Sequence, residues 1–131
     1  MKYIIDTHTF IWFNKGSENL SKLSRQIIEN DGNEIFISIV SLWEMSIKIS
    51  LGKLKIEMPY ENIIDDVYGA NMQIISLDFV HTVIQNKLPF HHKDPFDRII
   101  ASQALSEKMD LISNDEVFDE YFTNSKIRRV W

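Results

Sequence analysis

Cysteine is absent from the 131 residues, which removes disulfides, thiolate-bound zinc and any cysteine nucleophile. The absence fits a reducing compartment. No stretch approaches the roughly 18 uninterrupted apolar residues of a membrane span. The opening Met1-Lys2-Tyr3-Ile4-Ile5-Asp6 lacks the apolar region and small-residue cleavage site of a signal peptide and reads as a first strand. A soluble cytoplasmic protein is therefore expected, with no membrane partner. The phosphate loop G-x-x-x-x-G-K-[ST] and the G-x-S-x-G elbow are both missing, so a P-loop NTPase or serine hydrolase is unsupported. An aspartate-based phosphatase needs D-x-D after its first strand, with one acid as nucleophile. Asp6-Thr7-His8 supplies one acid and a histidine.

An excess of basic charge is also lacking. Fourteen basic residues face 19 acidic ones, a formal charge of −5, whereas nucleic-acid binders are usually basic. With four acids set aside as metal ligands, 14 basic residues face 15 acidic ones and the balance is −1 before any cation is added. The objection to a nucleic-acid substrate then weakens. No internal repeat, low-complexity run or Gly/Pro/Ser-rich linker interrupts the chain, and its length suits a single domain over residues 1–131.

Short apolar runs alternate with helical patterns. Tyr3-Ile4-Ile5, Glu34 to Ser38, Met72 to Leu77, Leu111-Ile112-Ser113 and Ile127 to Val130 have the β-branched character of strands buried on both faces of a parallel sheet. Between them, Leu20, Leu23, Ile27 and Ile28 share one helix face, and Leu42, Met45 and Ile49 share another. A helix begun after Pro59 is expected to close over Val67 to Met72, and Asp78 to Asn86 suggests one more. Asp94-Pro95 is a strong start signal, with Asp as N-cap and Pro at the first helical position, ahead of Phe96, Ile99, Ile100 and Ala104. The pattern implies an α/β sandwich around a mostly parallel five-stranded sheet. Ligands of such sheets bind beyond the carboxyl ends of the strands.

Acids fall at those ends. Asp6 terminates the first strand, Glu44 follows the second, Asp115 follows the fourth, and Asp97 lies in the first turn of the helix opened by Asp94-Pro95. Mg²⁺ prefers oxygen ligands and keeps several waters, so a few carboxylates suffice to hold it. Each acid also has a plainer role. Asp6 can be a turn residue, although an acid directly after a buried strand favours function. Ser41-Leu42-Trp43-Glu44 matches the capping box S-x-x-E, which makes Glu44 equally a capping residue. Asp94 is read as an N-cap, Asp97 can serve the same cap or the helix dipole, and Asp115 can start a short helix. Their shared position is what points to chemistry.

At these residues the chain resembles the PIN domain, and within it the VapC-type toxins of prokaryotic toxin–antitoxin pairs. The resemblance lies in Ile5-Asp6-Thr7-His8-Thr9-Phe10-Ile11-Trp12, in Ile37 to Glu44, in His92 to Ala104 and in Leu111-Ile112-Ser113-Asn114-Asp115, in family order. It implies a five-stranded parallel sheet flanked by helices and a metal-dependent endoribonuclease, with Asp6, Glu44, Asp97 and Asp115 holding Mg²⁺ or Mn²⁺ as catalytic acids. It also implies an RNA substrate, a VapB-like antitoxin that blocks the groove with its C-terminal segment, and a homodimer. Asn114 stands where relatives often have threonine, and its amide can still donate to a carboxylate. The alternative is a catalytically silent PIN-fold module that binds RNA or protein, whose mark would be loss of one or more of these acids.

Thr7, His8, Asn114, Lys93 and Arg98 are further candidates, to touch substrate or to support the acids. Lys93 and Arg98 flank Asp97 and are expected near an RNA path that Lys48, Lys53 and Lys55 can extend. His91 and His92 are read as loop residues near substrate, because no further His or Cys completes a zinc set. Trp12, Trp43 and Phe96 are expected in the core.

Overall fold

The computed structural model describes residues 1–131. Five strands form one parallel sheet: β1 (Lys2–Ile5), β2 (Glu34–Ser38), β3 (Met72–Ile75), β4 (Asp110–Ile112) and β5 (Arg129–Val130), in spatial order β3-β2-β1-β4-β5. Register pairs Ile5 with Ile37 on one side and with Ile112 on the other. The strand order reverses at β1, whose successors β2 and β4 lie on opposite sides of it, so the crevice of a doubly wound sheet falls beyond the ends of β1 and β4.

Alternation along β1 builds two cores. Tyr3 and Ile5 face a cluster with Phe10, Ile28, Ile37, Leu42, Met45 and Val67. Ile4 faces the other way, toward Ile100, Ala101, Ala104, Leu111 and Phe118. Helices α1 (Thr7–Lys15), α2 (Lys22–Glu29), α3 (Ile39–Ser50) and α4 (Ile63–Gly69) supply the first cover. Helices α6 (Pro95–Glu107) and α7 (Asp119–Phe122) supply the second, with α5 (Phe79–Lys87) packed on α6.

Several elements differ from the sequence reading. Helix α1 was not expected. Asp6 caps it, its side chain accepting from the Thr9 amide, and Gly16 ends it in the left-handed region at φ 63°. The helix after Pro59 stops at Gly69, because Asn71 turns the chain at φ 58° and Met72 belongs to β3. Leu20 is buried but precedes α2, whose N-cap is Ser21, and Leu23 is half exposed. No helix is long and apolar enough to cross a membrane.

Candidate metal centre at the sheet edge

The capping box expected at Ser41 and Glu44 does not form. Ser38 caps α3 instead, with its Oγ accepting from the Val40 amide at 3.0 Å, so Ser41 and Glu44 lie inside the helix and are buried. Released from the helix end, Glu44 turns toward the start of α1. Thr7 Oγ1 donates to its Oε1 at 2.7 Å, and Lys48 Nζ, one turn along α3, donates to its Oε2 at 2.6 Å.

Asp6 holds three bonds at once. Its Oδ1 accepts from the Thr9 amide at 2.9 Å and from Thr9 Oγ1 at 2.6 Å, while Ser113 Oγ donates to its Oδ2. Ser113 Oγ in turn accepts from the Asp115 amide at 3.0 Å, which ties the end of β1 to the loop after β4. Burial pushes the Asp6 carboxyl above its usual range, against the lowering effect of the Ser113 and Thr9 hydrogen bonds and of nearby His8.

Asp97 sits in the first turn of α6, which Asp94 caps by accepting from the Phe96 amide at 2.8 Å and the Asp97 amide at 3.4 Å. The Asp97 carboxyl is pushed up to about 7, by burial first and then by the negative charges of Asp94, Asp6 and Glu44, with His92 opposing. Asp115 caps the short 3₁₀ turn over Glu116–Phe118, its Oδ1 accepting from the Val117 amide at 3.0 Å. Its other oxygen lies 2.8 Å from His92 Nε2, which is also 3.1 Å from Asp97 Oδ2. Because the Asp94 amide donates to His92 Nδ1 at 3.1 Å, the ring proton belongs on Nε2, between the two carboxylates. One ligand atom each from His92, Asp97 and Asp115 falls within 4.8 Å of the others.

This donor set fits a divalent cation. The negative charges of Asp94, Asp6 and Glu44 add to burial in raising the Asp97 carboxyl, and a positive ion would relieve that conflict; the available atoms are carboxylate oxygens, with His92 Nε2 a ligand only once its proton leaves.

The four acids named from sequence all reach this edge, and Thr7 binds Glu44 directly. Other expectations fail. Arg98 is only 2% exposed, and its guanidinium donates to the carbonyls of Pro89, Gln85 and Leu88 under the Phe90 ring, so it cannot line an RNA path. Asn114 is exposed and donates to no carboxylate; Ser113 takes that part. Lys93 is exposed and unpaired, which is compatible with its expected place near an RNA path, whereas Lys48 is held by Glu44. Trp43 is 59% exposed and Trp12 and Phe96 are half-buried, so none of the three is a core residue. His92 and Ser113 are the residues the sequence reading undervalued. Their only local signals were position, one two residues before an N-cap and the other directly after a buried strand.

A family model described as PIN domain matches residues 3–122. No curated protein sequence matches the chain. Among solved structures, VapBC2 from Rickettsia felis, bound to a DNA fragment from its promoter, is similar at TM-score 0.70 and 22% identity, over 98% of each chain. DNA-bound VapBC from Salmonella typhimurium is similar at TM-score 0.70 and 18% identity, over 99% of this chain and 97% of that one. FitAcB from Neisseria gonorrhoeae is similar at TM-score 0.62 and 13% identity, over 98% and 96%.

Proposed function

The chain belongs to the PIN-domain family, and from that premise we propose that it is a metal-dependent endoribonuclease, the toxin of a toxin–antitoxin pair. The observation that carries the reading is the convergence of Asp97 and Asp115, with Asp6 lining the same cavity as Asp115 and with Glu44 close enough to raise Asp97. Asp6, Glu44, Asp97 and Asp115 are the proposed catalytic acids, and they would hold Mg²⁺ or Mn²⁺. Such an ion, when bound, supplies charge neutralisation at the scissile phosphate and acidifies a coordinated water.

The chain's own groups have separable tasks. Ser113 and Thr9 fix the Asp6 carboxylate, Thr7 and Lys48 fix Glu44, and Asp94 presents the start of α6 so that Asp97 faces Asp6. His92 Nε2 stands between Asp97 and Asp115 and can hold or pass a proton there. The hydroxyls and the ammonium that touch the acids, those of Thr7, Thr9, Ser113 and Lys48, are all engaged as donors to the carboxylates, which favours direct attack by water over a covalent intermediate.

The partner class comes from the neighbours: several of the similar structures are VapBC assemblies. We extend this to a VapB-like antitoxin whose basic C-terminal segment enters the acidic edge, to a homodimer of single-domain subunits, and to the cytoplasm as the site of action. A silent binding module would be marked by a missing acid, and all four are present. The test is incubation of purified, antitoxin-free protein with total cellular RNA in Mg²⁺, in Mn²⁺ and in EDTA. Cation-dependent products with 5′-phosphate and 3′-hydroxyl ends are expected. A 2′,3′-cyclic phosphate would show attack by the RNA's own 2′-hydroxyl and overturn the mechanism.

A further inference from the structure

A cavity of about 460 Å³ opens beside the acids, lined by Asp6, His8, Trp12, Asn114, Asp115 and Glu116. Its volume lies within the range of small-ligand sites. Two of its walls, Asp6 and Asp115, belong to the proposed metal centre, and the other four are used by nothing described so far. Trp12 follows His8 by one helical turn on α1, with ring centroids 5.6 Å apart, and Trp131 meets Trp12 edge-on at 5.8 Å. The result is an aromatic row that starts next to Asp6. Also in the lining, the amide of Asn114 and the carboxylate of Glu116 are exposed and make no hydrogen bond or ion pair within the chain, in contrast to Ser113 and Asp115 on either side of Asn114.

We infer that this cavity is a nucleobase subsite, which takes one unstacked base of a single-stranded RNA, next to the phosphate to be cut, against the Trp12 face. The inference rests on the nuclease reading for its substrate class. Charge decides which part of a nucleotide enters. Three carboxylates line the cavity and repel a phosphate, whereas a neutral base brings a π face for Trp12 and, in adenine, cytosine and guanine, an exocyclic amino group. Glu116 can accept only, so it selects that amino group. Asn114 offers both a donor and an acceptor to the neighbouring ring edge. Uracil, whose only edge donor is the ring N3–H flanked by two carbonyls that a carboxylate repels, is disfavoured. His8 lines the same cavity, its ring tilted at 43° to Trp12. The subsite thus sets which nucleotide flanks the cut, a property that the acids cannot set.

The experiment measures binding of six-nucleotide 2′-O-methyl RNAs, one for each base and one with an abasic position, by fluorescence anisotropy in EDTA at low salt. Trp12→Leu should weaken the base-containing strands by roughly tenfold or more, the usual cost of a lost stacking platform, and leave the abasic strand unchanged. Trp12→Phe should restore most of the affinity. Because Trp12 packs against Trp131, the exposed Glu116→Gln and Asn114→Ala give a second arm that does not disturb packing. Glu116→Gln should narrow the gap between adenine or cytosine and uracil, and Asn114→Ala should reorder the amino-bearing bases. Equal losses on abasic and base-containing strands, an unchanged base ranking in both exposed variants, or no binding by the wild type would overturn the subsite. So would loss of antitoxin capture with nucleotide binding intact, which would make the cavity a protein-docking site. The outcome for the nuclease reading is separate. If strands bind as expected but the wild type cuts no RNA in Mg²⁺, the subsite stands and that reading fails. If RNA is cut with cut sites unchanged in Trp12→Leu, Glu116→Gln and Asn114→Ala, that reading stands and the subsite fails.

Discussion

Two acids three residues apart on α6 have opposite duties. Asp94 accepts from two backbone amides, and its replacement by alanine should cost about 1 kcal/mol, the usual value of an N-cap. Asp97 spends nothing on the cap and faces the other acids instead, so Asp97→Asn should abolish cleavage and cation binding in a protein that still folds. Both properties need measuring in both variants, by melting and by cleavage. A folded Asp94→Ala that no longer cuts, beside an active Asp97→Asn, would show the pair assigned the wrong way round. Ser113→Ala belongs to the same scale. It removes the one donor to Asp6 Oδ2 and should reduce cleavage more than it lowers the melting temperature, because the Thr9 bonds to Oδ1 remain.

Among the elements, the segment between α5 and α6 folds back around one buried side chain. The Arg98 guanidinium gathers the carbonyls of Gln85, Leu88 and Pro89 beneath Phe90, and the same segment delivers His92 to the acids. Arg98→Met keeps the length of the side chain but leaves those carbonyls without their donor. The loss should be about 2–4 kcal/mol, since hydrogen bonds to a charged group are worth more than neutral ones. Cation affinity should fall with it, as read by titration calorimetry, because His92 loses its fixed approach. A variant that melts like the wild type would show that the segment is held by other contacts. Sequence could not assign this role. An arginine beside an acid in a helix looks like a surface cation, and only the chain folding back from α5 places carbonyls around it.

For the whole molecule, the crowded acids link stability to pH and to cations. Asp97 titrates near 7 in the fold against 3.8 for the free side chain, and Asp6 is raised as well. The folded state therefore holds more protons than the unfolded one between about pH 4 and pH 7, so the metal-free protein should lose stability as pH rises through that window and level off above it. Asp97→Asn should flatten this slope in melting curves taken from pH 5 to pH 8. A wild-type curve that rises with pH would contradict the acid cluster. Added Mg²⁺ or Mn²⁺ at a hundred times its dissociation constant should contribute about 2.7 kcal/mol at pH 8, and Asp97→Asn should show little of it.

The sheet and its acids were legible early because they depend on short-range patterns. A strand buried on both faces must be a run of apolar residues, and Asp6 or Asp115 ends such a run whatever lies around it. The Asp94-Pro95 start was equally local and stands as an N-cap. Contacts between distant segments were not legible. Whether Glu44 capped a helix or met the start of α1 depended on α3 beginning at Ile39 rather than after Ser41, a shift of three residues that turns the side chain inward. His92 meets Asp115 across 23 residues, Ser113 meets Asp6 across 107, and Trp12 meets the C-terminal Trp131. The sequence by itself determined the alternation of strands and helices and the acids at the strand ends, since periodicity and N-caps are properties of neighbouring residues. Only the tertiary structure decided which donors hold those acids, that Arg98 is a buried clamp, and that Trp12 faces a cavity. Those outcomes depend on which parallel strands lie side by side, and strand order is fixed by packing over the whole chain.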